Sequence, residues 1–195
     1  IGKHVCNASI TPLNQTISDF ERVLSALDVL VHKNITVNTI KYLRLVTYDH
    51  LSSYYLAQLL DFTNQRINSS AELTSMPKQA KQETKASMEL TKIAETKTIK
   101  KCINVIVRYL FLCITPSLSL IRTYKTTSGS YYYEINARRN LAEIIENYIE
   151  SPQHFSAAIQ DMELNRTDQA LLWAEFSLAL IKIQLYHRAY QVVTQ

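Results

Sequence analysis

The stretch ISDFERVLSALDVLV, residues 17–31, decides how this chain folds. Its apolar side chains fall at Ile17, Phe20, Val23, Leu24, Leu27, Leu30 and Val31. Steps of three and four put these side chains on one face of an α-helix, whereas a half-buried strand would alternate. Ser18 and Glu21 have the spacing of a capping box and place the helix start. Asn34 is expected to end it.

The same period recurs outward along the chain. A second helix follows Thr36 as its cap and carries Val37, Ile40, Leu43, Val46, Leu51, Tyr54, Leu59 and Phe62. Residues 64–77 are polar and rich in Ser and Thr, which predicts a loop. A third helix is expected from about Lys78 to Ile114. Its first half is a solvated face of Lys, Gln, Glu and Thr, and its second half is apolar nearly all round. Pro116 stops or kinks it. Residues 126–130, with Gly129, read as a turn. A fourth helix is expected over about 134–150, a short fifth over about 152–164, and a last over about 168–193 with Thr167 as cap. The last is apolar on several faces, which marks it as central or as an interface helix. No repeat of 30–45 residues is present. The expected fold is all-α, an irregular antiparallel bundle of five to six helices in one domain covering residues 1–195.

Composition narrows the function. The chain holds only two glycines, Gly2 and Gly129. Phosphate-cradling loops, dinucleotide turns and nucleophile elbows need glycine where the backbone turns tightly or approaches a ligand. The five histidines, at 4, 32, 50, 154 and 187, form no i, i+4 pair. Asp49–His50 is adjacent in sequence and so does not share a helix face. Glu143 and Glu146 lie three apart, but no Glu-x-x-His completes a di-iron pattern. These features point away from an enzyme, a metal site or a cofactor. The longest apolar run, Cys102 to Ile114, is too short to span a bilayer, so no membrane partner is expected. Three cysteines, Cys6, Cys102 and Cys113, cannot close into pairs and contain no CxxC. They point to a reducing, cytoplasmic setting. Five Asn-x-Ser/Thr triplets, at Asn7, Asn14, Asn34, Asn68 and Asn165, pull toward a secreted glycoprotein.

Charge is unevenly placed. Residues 33–139 hold sixteen Lys/Arg against seven Asp/Glu, and residues 140–195 hold three against seven. Such a split fits a basic face for an anionic partner and an acidic end for packing. Lys41 and Arg44, three apart, share a face of the second helix. Arg122, Lys125, Arg138 and Arg139 bracket the Gly129 turn and the tyrosines 131–133. Arginine forks suit phosphate oxygens, and tyrosine rings stack on bases. Tyrosine packing in the core is the plainer use of that triplet. The lysines of 78–101 read best as a solvated face.

Four segments carry a resemblance: ERVLSALDVL (21–30), ITVNTIKYL (35–43), YYEINARRNLAEII (132–145) and LLWAEFSLALIKIQLYHRAY (171–190). In that order they resemble the small helical subunit of type III (Csm-type) CRISPR RNA-guided effector complexes. The family's Gly–Arg step after its tyrosine is here Ala137–Arg138–Arg139, and residues 64–125 look like an expanded connection. The resemblance implies a non-catalytic structural subunit that contacts guide and target RNA and packs against sibling subunits and copies of itself. It places Lys41, Arg44 and Arg138 or Arg139 on the RNA; Arg122 and Lys125 join them on charge alone. Two alternatives stand beside it. One is a helical protein–protein scaffold without nucleic acid, and the other is a secreted helical signalling glycoprotein.

Overall fold

A computed structural model describes residues 7–31, 37–73, 77–114, 129–148 and 151–184. Among them the regular structure is entirely helical, with six helices and no strand. They are α1 (Asn7–Val31), α2 (Val37–Leu73), α3 (Lys78–Ile114), α4 (Gly129–Asn147), α5 (Ser151–Gln160) and α6 (Arg166–Lys182). The chain is an all-α helical bundle.

The centre is the apolar half of α3. Cys102, Ile103, Ile106, Val107, Tyr109 and Leu110 are almost wholly removed from water. Helices α2, α4, α5 and α6 pack around them, and α1 lies against α2. One continuous core links all six helices, from Ile17 of α1 to Leu180 of α6. Burying side chains of this size contributes about 1.5–3 kcal/mol each. That explains why α3 holds its place although its first half has few apolar residues.

Helices α1, α2 and α3 are successive antiparallel neighbours. The pairs Asn14–Gln58, Glu21–Tyr55 and Asp28–Arg44 zip α1 to α2. Gln58–Thr98 and Arg66–Glu95 do the same for α2 and α3. With 37 residues each, α2 and α3 run about 55 Å at 1.5 Å per residue.

Several expectations change. The polar segment 64–77 is no loop over most of its length, because α2 continues as helix to Leu73. Asn, Gln and Ser disfavour a helix only weakly, and α3 running alongside settles the choice. Helix α1 begins at Asn7, with Pro12 inside it, and not at Ser18. Glu21 accordingly caps nothing. Its carboxylate accepts hydrogen bonds from the Tyr55 hydroxyl and from Lys101 Nζ. Of the expected turn at 126–130, Gly129 and Ser130 open α4, and 126–128 lie outside the described residues. On α2, Leu43 faces water and Leu45, Tyr55 and Leu56 are buried instead. Asn165, not Thr167, caps α6: its Oδ1 accepts the Asp168 backbone N–H at 2.9 Å. The third helix follows the expected limits, Lys78 to Ile114.

Candidate nucleic-acid interface

Four of the six candidate cations lie in the described structure, and two of them, Arg44 and Arg138, are held by acids. Arg122 and Lys125 are outside the described residues. Arg44 is directed at α1, where its guanidinium donates to the Asp28 carboxylate. Lys41, one turn earlier, is half-buried.

Arg138 is held more firmly still. Its Nε and one terminal nitrogen donate to the two carboxylate oxygens of Glu175, both at 2.7 Å. Its other terminal nitrogen meets Glu134 at 2.7 Å, one turn back on α4. The Glu175 hydrogen bonds outweigh the opposing effect of burial and push the guanidinium pKa up, so it stays charged. This fork–fork arrangement ties α4 to α6 and engages all three guanidinium nitrogens, although 44% of the side chain stays in water. Arg139, the next residue, is exposed. It lines a shallow depression with Glu143, Glu146 and Lys182. Among the described residues, neither Lys41 nor Arg139 has an ion pair.

Arg138 therefore acts as a fastener. Arg138→Ala is expected to destabilise the fold by about 1–2 kcal/mol, because Glu175 and Glu134 lose their shared cation where water screens them incompletely. Arg139→Glu should change stability by less than about 0.5 kcal/mol. Urea unfolding of both variants checks the contrast; equal midpoints would refute it.

Tyrosines gather where α2 meets α4. Tyr133 stands edge-on to Tyr42 and Tyr132, with ring centroids 6.5 and 5.4 Å apart. Burial, then the hydrogen bond with Tyr42, pushes the Tyr133 phenol up to about 12. Tyr42 and Tyr132 keep more than half their surface in water. The side chain of Tyr131 lies outside the described set.

Sequence reasoning missed the polar network inside the bundle. Asp49 is buried, and it accepts hydrogen bonds from the Tyr109 hydroxyl at 2.7 Å and from Asn136 Nδ2 at 3.2 Å. One turn on, Asn140 Nδ2 donates to the Ser52 hydroxyl at 2.9 Å. These bonds join α2, α3 and α4 in one register. The partners lie 60 to 88 residues apart in sequence, so no local spacing announces them. His50, beside Asp49, stacks on Phe20 and stays away from the network.

The pair Glu143 and Glu146 is exposed. Among the described residues no three His, Cys, Asp or Glu side chains are close enough to share a metal ion. No helix among them is long and apolar enough to cross a membrane. A polar cleft of about 210 Å³ lies between α1, α2 and α3, lined by Asn14, Glu21, Tyr55, Gln58, Lys97 and Lys101 among others. Most of these groups already bond to one another across the helix contacts. No known protein family matches the chain, and neither a curated protein nor a solved structure does.

Proposed function

We propose that this chain is a non-catalytic helical docking protein, and that the arm made by the end of α2 and the start of α3 meets an acidic protein partner. One observation carries the reading. From Asp61 to Ala94 no described side chain is buried, although the segment comprises two paired helices. Helices in water take most of their stability from burying an apolar stripe. Here Leu90 and Ile93 of α3 point outward.

The geometry follows from Arg66 and Glu95, which face each other across the arm at 3.2 Å. Half-buried Gln65, Ser69, Thr84, Met88 and Thr91 continue that mainly polar seam. Ile93 lies two residues before Glu95, hence on the far side of α3. Leu90 is one turn further back on the same row. They keep 69% and 65% of their surface in water, Leu90 the more. Exposed Lys85, Lys92 and Lys100 flank the row, which also carries exposed Glu89 one turn before Ile93. A partner that covers two aliphatic side chains amid lysines is an acidic protein surface with an apolar centre.

The double variant Leu90→Glu, Ile93→Glu tests this. Complexes purified at low salt from cells making the full chain should lose their partner, while the unfolding free energy stays within about 0.5 kcal/mol of the parent. An unchanged complex would overturn the reading.

A second reading is contact with RNA, as the resemblance to type III effector small subunits implies. It is favoured by the exposed rings of Tyr42 and Tyr132, which both stand against Tyr133 in a place where bases can stack. Its cations are weakened by the acids that hold Arg44 and Arg138. In this case RNA should come down with the chain and leave as salt rises, with a slope near −0.7 per phosphate neutralised.

A further inference from the structure

We propose that the chain is an N-glycoprotein, with asparagine-linked glycans on Asn14, Asn68 and Asn165.

The sequence carries more acceptor triplets than its composition requires. It has eleven asparagines, and thirty-three of its 195 residues are Ser or Thr. Chance would place about two asparagines ahead of an x-Ser/Thr pair. Five are so placed: NAS at 7, NQT at 14, NIT at 34, NSS at 68 and NRT at 165.

The structure then leaves the described triplet asparagines in water, as it does Asn64 and Asn147, which stand in no triplet. The three triplet asparagines whose side chains are described, Asn14, Asn68 and Asn165, are all exposed. The two buried asparagines, Asn136 and Asn140, belong to the polar network and stand in no triplet. An N-linked sugar requires an asparagine that the folded protein leaves in water.

The bonds at these sites also tolerate the modification. The anomeric carbon of a glycosyl diphosphate donor forms a bond to Nδ2. Its C–O bond to the diphosphate breaks, the diphosphate leaves with the electron pair, and one Nδ2 proton is lost to a base. Asparagine Oδ1 and one Nδ2 hydrogen remain. Asn14 uses Oδ1 to accept from Gln58 Nε2 at 2.6 Å. Asn165 uses Oδ1 to cap α6 and needs only one Nδ2 hydrogen for Asp168 Oδ2, at 2.8 Å. Asn68 lies two residues beyond Arg66, so it stands on the side of α2 turned away from α3. A glycan there leaves Leu90 and Ile93 clear, and the docking reading does not depend on it.

Glycan addition takes place in the secretory lumen, against the reducing setting that the cysteine count indicates. The described thiols do not oppose it. Cys102 is fully buried, and burial pushes its pKa up; burial does the same to Cys113, to about 12. Such thiols supply little thiolate for disulfide exchange.

The test is peptide mapping of the full chain, purified from the cells that make it, after peptide-N-glycosidase treatment in heavy-oxygen water. Labelled Asp is expected at 14, 68 and 165 and not at 136 or 140. Thr16→Ala, Ser70→Ala and Thr167→Ala keep each asparagine but remove the hydroxyl, and each should lose one glycan. An intact mass equal to that of the bare chain overturns the proposal. A glycosylated chain would leave the RNA reading without a partner, while a bare chain would leave the arm's docking untouched.

Discussion

Replacing Phe176 with Ala should lower the stability of the chain by about 3–5 kcal/mol, which corresponds to a fall in unfolding temperature of about 10 °C for a domain of this length. Phe176 is fully buried on α6. Its ring centroid lies 4.4 Å from that of Phe155 on α5 and 5.8 Å from that of Trp173 on its own helix. Phe155 and Trp173 stand edge-on at 5.2 Å, so the three rings form one cluster. Removing the ring loses its transfer energy and opens a void between three helices that α3 prevents from closing. Phe176→Leu keeps most of the volume and should cost less than half as much. Calorimetry on the two variants checks the ratio. Similar losses for both would mean that the cluster relaxes around the void.

Tyr109→Phe is expected to cost about 1–3 kcal/mol, although it removes a single oxygen. The hydroxyl is a neutral donor throughout the working pH range, since burial and then the Asp49 bond push its pKa up. Without it, the buried Asp49 carboxylate keeps only the longer bond from Asn136. The loss is thus the desolvation of an acceptor left short of donors, more than the worth of one bond. Asp49→Leu combined with Tyr109→Phe replaces both partners with apolar groups and should cost less than the two single changes added together. An additive double variant, measured by urea unfolding, would show that the two groups do not act as a pair.

How much was legible in the sequence depended on distance along the chain. The end of α3 follows from Pro116, which cannot continue the helix. The apolar run from Cys102 to Ile114 announces the centre of the bundle. The start of α1 is hidden because Ser18 and Glu21 imitate a capping box. In the structure Pro12 sits in the helix and Glu21 reaches α2 and α3. The end of α2 was hidden because Asn, Gln and Ser read as loop in isolation. Helix ends lacked their usual marker as well. With glycine so scarce, Glu163 and Gln184 adopt the left-handed backbone, at φ 50° and 65°, just beyond α5 and α6. Glycine normally holds that position.

The candidate site shows the same limit. The Glu134–Arg138 spacing of four is visible in sequence, and the structure contains that pair. Glu175, which makes the bidentate half of the clamp, is 37 residues away from Arg138. Asp28, which holds Arg44, is 16 residues back across a helix connection. Charge counts along a chain find cations; they do not find the distant acids that neutralise them.

The most direct measurement is photocrosslinking from the arm. A photoreactive side chain placed at Ile93 of the full chain, in the cells that make it, should yield a protein adduct rich in acidic residues around the crosslinked position. The same group placed at Glu163, in the acidic segment just beyond α5, should yield none. An adduct with nucleic acid from Ile93, or equal yields from both positions, would contradict the assignment of the arm as the docking element.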